Sequence, residues 1–345
     1  MRPRLRLVLR QEPLREREAL ACMLALDAPA FRRALLGWYG SQKRDLPWRR
    51  SADPYRVWIS EIMLQQTRVS AVIPYYERFL KKFPDVSELA SAEEQELLAA
   101  WAGLGYYARA RNLRRAAERV VEAGAFPANY EAIRALPGIG DYTAAAVASI
   151  AFGLRHAAVD GNVKRVVSRL TVDRGDVGEV AEKLLDPKRP GDFNQAMMEL
   201  GATVCLPREP LCLLCPVAAF CAAAKSGRQS EFPTRSVKGA AKRVSRELLI
   251  VQRRDSILFW QRPAASPRLA GFWELPEREH LRAVKVGESL GTFRHTIVNT
   301  LHEVTVFAAT AKKIDESLVW LPIRRLHEYP LSTTARKALR QSVKL

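Results

Sequence analysis

The stretch Leu136-Pro137-Gly138-Ile139-Gly140-Asp141-Tyr142-Thr143 lies between two helix-like runs. The first is Tyr130 to Ala135; the second, Thr143 to Phe152, is rich in alanine and short of breakers. Two glycines one residue apart let the backbone reverse tightly and approach a partner closely. The second helix then starts with unbonded N–H groups directed into the turn, where an anion such as a DNA phosphate is favoured. A plain helical hairpin with no ligand satisfies the same residues, so the octet alone leaves both readings open.

The rest of the chain weighs on that choice. Its 345 residues suggest about two domains, and 48% hydrophobic residues are enough for a real core. Lysine and arginine number 55 against 37 acidic residues, a net charge of +18. Such an excess favours a polyanion, nucleic acid before an anionic membrane, although a merely soluble basic protein carries the same charge. No apolar run reaches the ~18 residues of a membrane span. The longest, Ala144 to Leu154, is too short and contains Ser149. Arg2 to Arg10 lacks the apolar stretch of a signal peptide, and Glu12, Glu16 and Glu18 oppose a transit peptide. A soluble intracellular protein is expected, cytoplasmic and nucleoid-associated if the source is prokaryotic. Met23 stands just before the first convincing helix as a second possible start.

Ala30 to Tyr39 reads as an amphipathic helix leading into the basic, aromatic loop Arg44 to Arg50. Asp53-Pro54 predicts a cap and first-turn proline for a helix from Tyr55 to about Val69, ending in Gln65-Gln66-Thr67. Glu61 sits on that helix among Ile59, Ile62 and Met63. A carboxyl group among apolar neighbours can hold its proton and act as a general acid; a surface glutamate is the bland alternative. Pro74 to Phe83 and Ser91 to Trp101 are expected helices, with Ser91 and Glu94 as a capping box. Gly103 to Tyr107 is a turn. The helix Ala108 to Gly124, with Arg109, Arg111, Arg114 and Arg115, reads as a solvated basic face. Asp160-Gly161 predicts a turn before a helix Asn162 to Leu170, with Asp160 as its cap or as a carboxylate facing a cationic centre.

Cys205, Cys212, Cys215 and Cys221 follow the spacing Cys-x6-Cys-x2-Cys-x5-Cys. An intracellular chain rarely spends four clustered cysteines on disulfides. Four thiolates suit tetrahedral zinc or a [4Fe–4S] cluster; zinc sites usually show two close pairs and only one is present, so the cluster is preferred. Cys22 is left over as an apolar residue. Beyond the basic segment 229–245 the composition changes. Leu248 to Val251 and Ile257 to Trp260 predict a β-hairpin, Val304 to Phe307 a strand, and Ser332 the cap of a terminal helix.

Taken together, these residues resemble the helix-hairpin-helix DNA glycosylases, and most closely the MutY-type adenine DNA glycosylases. The resemblance is carried by Leu46 to Arg49, Trp58 to Thr67, Gly103 to Tyr107, the hairpin, Asp160 to Val163, Phe193 to Gly201, the four cysteines, Gln261 to Pro263 and Gly271 to Pro276. It implies a mainly α fold. A helix-hairpin-helix glycosylase domain over 26–228, including a [4Fe–4S] loop at 205–221, would follow an extension 1–25. A linker 229–245 and a smaller α+β Nudix-like lesion-recognition domain, 246–345, would complete it.

The resemblance implies Glu61 as the acid that protonates the adenine ring and Asp160 as the carboxylate that stabilises the oxocarbenium-like sugar, with Tyr142 and Asn162 in support. Glycosylases of this superfamily that also cut the backbone carry a lysine where this chain has Tyr142, so a monofunctional enzyme is expected. Arg44, Trp48, Leu64 and Gln195 would line the pocket of a flipped adenine. Gln66 and Tyr106 would enter the base stack, Arg49 and Thr67 would meet DNA, and Gly138 and Gly140 would form the phosphate-binding turn. Lys164 and Arg165 would add backbone contacts. The C-terminal domain lacks the Arg-Glu-x-x-Glu-Glu core of a metal-binding Nudix helix, so it would read a base rather than hydrolyse a nucleotide. The family's recognition loop ends Phe-Ser-His where this chain has Ile297-Val298-Asn299, leaving His295, Thr296 and Asn299 as substitutes. The implied partner is double-stranded DNA with adenine opposite 8-oxoguanine or guanine, bound by a monomer away from membranes, with abasic-site repair enzymes downstream. A thymine or uracil mismatch glycosylase and a non-catalytic iron–sulfur damage-binding protein are the alternatives.

Overall fold

The computed structural model describes residues 27–173, 175–234, 242–263, 265–266, 269–297 and 300–342. Two compact units emerge, and both are assembled from separated stretches of chain. The first takes residues up to Ile62 and Phe126–Ser236; the second takes Met63–Ala125 and Val237 onward.

The first unit is helical. Asp27, Asp160 and Asp176 each start a helix by accepting a backbone N–H with the side chain: Ala28–Gln42, Gly161–Thr171 and Val177–Leu184. With Pro190–Thr203 these helices bury Phe31, Leu35, Val167, Phe193 and Leu200 in one core. Helices approach closely where side chains vanish. A Cβ on Gly201 would lie 2.6 Å from the Asn162 Cβ, and one on Gly191 would lie 2.6 Å from the Ser149 carbonyl oxygen.

In the second unit the helices Val69–Lys82, Glu94–Trp101 and Ala108–Glu122 accompany a six-stranded sheet. The strands are β1 (Lys242–Arg253), β2 (Ser256–Gln261), β3 (Trp273–Glu274), β4 (Arg282–Ile297), β5 (Thr300–Lys313) and β6 (Leu318–Pro322). Their order is β3-β2-β1-β5-β4, with β6 beside β2 and β1 parallel to β5. The expected β1–β2 hairpin forms, and the Ser332 hydroxyl accepts from Ala335 N at the start of the helix Thr333–Ser342. The two parts of this unit meet at the Gly103–Tyr107 turn. The Tyr107 and Phe272 ring centroids are 3.9 Å apart, and Arg336 donates to the Ala102 carbonyl at 3.1 Å.

Three local expectations need correction. The helix bearing Glu61 covers Pro54–Leu64 and stops there; a new helix begins at Val69, and Gln66 between them has φ +58°. Ser91 does not open a capping box: its hydroxyl bonds back to the Ser87 and Glu88 carbonyls, closing the short helix Val86–Ala90. The presumed recognition loop is the end of a hairpin. His295 and Thr296 lie in β4, paired with His302 and Leu301 of β5, and Asn299 falls outside the described residues. Period-2 alternation was too weak there to betray a strand.

Gly201→Ala is expected to lower stability by about 1–3 kcal/mol through overpacking against Asn162. Gly37→Ala, with nothing within 4 Å of the added methyl, should raise it by about 0.5–1 kcal/mol. Thermal unfolding of both variants checks the contrast.

Candidate active site

Glu61 stands on the buried face of Pro54–Leu64, only 5% exposed, with Trp58, Ile59, Ile62 and Met63 equally buried. The Tyr142 hydroxyl donates to its Oε2 at 2.6 Å and lies 3.2 Å from the Met198 sulfur. Burial pushes the Glu61 carboxyl up to about 7; the Tyr142 bond opposes this, the Asp160 charge adds to it, and Arg49 opposes it. Burial, then the charges of Glu61 and Asp160, hold the Tyr142 hydroxyl well above the usual tyrosine range. Tyr142 therefore remains a donor at any physiological pH. Its proton occupies Oε2, which leaves Oε1 as the oxygen that carries the Glu61 proton.

Tyr142 reaches this position because the hairpin places it in the first turn of Asp141–Phe152. Gly138 adopts φ +77°, and Gly138 and Gly140 are both exposed. Asp141, beside them, is bonded by Arg134 and Tyr130.

Asp160 is a helix cap and more. Its Oδ1 accepts from Val163 N at 2.7 Å, and its Oδ2 accepts from Asn162 Nδ2 at 2.9 Å. Both carboxylate oxygens are thus fixed. Asn162 is fixed in turn by Arg165, which donates to Asn162 Oδ1 at 2.9 Å, to the Gly201 carbonyl at 2.7 Å and to the Cys205 carbonyl at 2.8 Å. Arg165, half-buried, is thereby tied to three partners inside its own unit.

The loop at 44–49 carries the residues expected to line the pocket and meet DNA, and its arginines also converge on Glu199, a residue not among those expected from the sequence. Arg44 donates to both Glu199 oxygens, at 2.7 and 2.8 Å, and Arg49 adds a bond at 2.8 Å. Burial alone would push the Glu199 carboxyl up, but the bonds from Arg44 and Arg49 outweigh it and hold it at about 2. Arg49 also lies over the Tyr39 ring, 5.5 Å from its centroid, and Tyr39 donates to Gln195 Oε1 at 3.3 Å. Trp48 is buried and Gln195 half-buried. A glutamate inside the buried stripe Ala196 to Leu200 was the overlooked signal, the same one that marks Glu61.

The remaining predicted residues lie in the second unit, Leu64 among them; it ends the Glu61 helix and is half-buried. Gln66 is exposed and Thr67 half-buried. Tyr106 is 56% exposed with φ +48°.

The four cysteines are free thiols in the first unit, and each of the other three acts on the charge of Cys215. Among the described residues no group of three or more His, Cys, Asp or Glu side chains is arranged to hold a metal ion. The donor chemistry nonetheless suits thiolates. Arg169 donates to Cys205 Sγ at 3.3 Å, Val217 N–H bonds Cys215, and Ala223 and Ala224 N–H groups bond Cys221. Burial pushes the Cys215 thiol up to about 11, against the backbone N–H bond from Val217.

Folded Glu61 keeps its proton up to about 7, against an ordinary 4.5. The cost of ionising it is absent below 4.5, grows between 4.5 and 7, and reaches on the order of 3 kcal/mol above 7. Glu61→Gln should therefore stabilise the fold at pH 8 and leave it nearly unchanged at pH 4, as denaturant midpoints at the two pH values would measure.

Comparison with known proteins places this geometry. Residues 59–190 match the model of the HhH-GPD superfamily base excision DNA repair proteins. A human adenine DNA glycosylase is 48% identical over 225 residues, 59% of this chain and 41% of the human protein. An adenine DNA glycosylase of Buchnera aphidicola subsp. Acyrthosiphon pisum (strain APS) is 34% identical over 242 residues, 67% of this chain and 69% of that protein. The solved structure of a thermostable thymine-DNA glycosylase matches with a TM-score of 0.54 at 31% identity, covering 58% of this chain and 97% of its own. The chain thus spans less than half the length of its human relative, but more than two thirds of the bacterial one. It belongs to the adenine DNA glycosylase family of the HhH-GPD superfamily.

Proposed function

We propose that this chain is a monofunctional glycosylase that removes adenine opposite 8-oxoguanine or guanine in double-stranded DNA and so starts base excision repair. The observation that carries the reading is the buried Glu61 carboxyl, still protonated near neutrality and oriented by the Tyr142 hydroxyl, with the doubly bonded Asp160 acting on its charge.

The chemistry follows from those positions. Glu61 passes its proton to a ring nitrogen of the flipped adenine. The glycosidic bond breaks, its electron pair stays with the base, and adenine leaves neutral. Asp160 stabilises the positive sugar until water adds and releases a proton. Tyr142 offers no amine for a Schiff base, so the backbone is left uncut. Arg44, Trp48, Leu64 and Gln195 shape the adenine pocket; the Arg44–Glu199–Arg49 cluster orients its basic side. Gln66, Thr67 and Tyr106 meet the distorted duplex, and the exposed Gly138–Gly140 turn takes a phosphate. Residues 246–345 serve as the Nudix-like lesion-recognition domain, through His295 and Thr296, with Asn299 as a further candidate. The +18 charge supports a DNA partner.

Cys205, Cys212, Cys215 and Cys221 would hold a [4Fe–4S] cluster, which supplies a rigid cross-link when bound and takes no part in hydrolysis. Purified protein should be brown, with about four iron atoms per chain. A colourless, zinc-containing protein with full activity would refute that assignment.

Single-turnover release of adenine opposite 8-oxoguanine, guanine and thymine tests the function. Release opposite 8-oxoguanine and guanine is expected, and Glu61→Gln and Asp160→Asn should each abolish it while mismatch binding persists. Because Glu61 must carry a proton, the rate should be level below about 7 and fall roughly tenfold for each pH unit above it. Release of thymine in place of adenine would favour the activity named for the 31%-identical structure.

A further inference from the structure

Arg109 was expected on the solvated face of a basic helix. Its guanidinium instead turns inward and gathers two separate turns. Nη1 donates to the Gln65 carbonyl at 2.7 Å and to the Met63 carbonyl at 3.4 Å. Nη2 donates to the Gly105 carbonyl at 3.1 Å and to the Leu104 carbonyl at 3.2 Å. The residues immediately after the two strongest acceptors are Gln66 and Tyr106, at the tips of those turns. Both tips hold left-handed backbone, φ +58° and +48°, which residues with a side chain rarely adopt without compensation. Both side chains are exposed. The Arg109 guanidinium further lies 5.5 Å from the ring centroids of both Tyr106 and Trp101.

These contacts have a direction. A planar fork with five donors can satisfy four carbonyls on two turns at once; an ammonium group cannot span them. Leu104 and Trp101 are buried beneath, Trp101 Nε1 donates to the Gly105 carbonyl at 3.2 Å, and a Cβ on Gly103 would strike Tyr75 Oη at 2.0 Å. The second turn is thus packed from below, and Arg109 ties it to the first.

We propose that Arg109 is a positioning residue that fixes the spacing of Gln66 and Tyr106, so that the two enter the duplex as one preformed wedge. The proposal rests on the reading that these two side chains enter the base stack. Base extrusion, rather than binding or proton transfer, is the step it governs: disordering the tips removes the wedge while the phosphate contacts and Glu61 remain.

The test uses the full chain and a duplex with adenine opposite guanine, carrying 2-aminopurine next to the target adenine, whose fluorescence rises when the stack opens. Arg109→Lys keeps the charge but loses the fork. The rate of the fluorescence rise should fall by about tenfold or more, since bonds from a charged donor are lost. Affinity for undamaged duplex should stay within about threefold, because charge sets it. In a Gln66→Ala/Tyr106→Ala background, Arg109→Lys should have no further effect on extrusion. A Gln66→Ala/Tyr106→Ala protein that extrudes at the unaltered rate would overturn the stacking reading and the wedge with it. If that double variant is slow but Arg109→Lys extrudes normally, the wedge alone fails. An undiminished Arg109→Lys effect in the double-variant background would likewise overturn it, marking Arg109 as a general support of the fold.

Discussion

A carboxyl group kept out of water beside a tyrosine hydroxyl is the constraint on which the first unit depends. Glu61 lies on a helix whose buried face is otherwise Trp58, Ile59, Ile62 and Met63, so nothing there can solvate a charge. The fold answers with one donor, Tyr142 at 2.6 Å, and with neighbours of both signs. That balance lets the carboxyl group hold a proton up to about 7, where an ordinary glutamate is already ionised. The hairpin has a part in this beyond any phosphate, because its tight turn sets the helix that delivers Tyr142.

Glu199 is the opposite solution to the same problem. It too is a buried glutamate on a helix, yet two guanidinium groups keep it ionised. Of two buried carboxyl groups in one unit, the one bonded by tyrosine is pushed up and the one bonded by two arginines is held down. Removing either partner set would leave a charge or a donor stranded.

Arginine serves throughout as internal scaffolding. Arg165 ties Asn162 to two carbonyls, Arg169 bonds the Phe232 and Leu206 carbonyls, and Arg109 ties the Gln66 and Tyr106 turns. A fork of N–H donors suits carbonyls at turn ends, where the backbone has no partner of its own. The high positive charge of the chain therefore overstates how much of it faces outward.

Local pattern was enough for helices such as Ala28–Gln42, Ala108–Glu122 and Asp141–Phe152, the hairpin turn, the caps at Asp160 and Ser332 and the β1–β2 hairpin, because capping, glycine turns and periodicity act over a few residues. Glu61, Asp160, Asn162 and Tyr142 were also legible, through a charged or polar residue set among apolar neighbours and a run of family-like motifs. What the sequence could not settle was partnership across distance. The break at Gln66, the convergence of Arg44 and Arg49 on Glu199 some 150 residues away, and the inward turn of Arg109 and Arg165 all depend on long-range packing. A guanidinium is drawn to whichever carbonyl or carboxylate the fold leaves unsatisfied nearby, and that choice exists only once the helices have met.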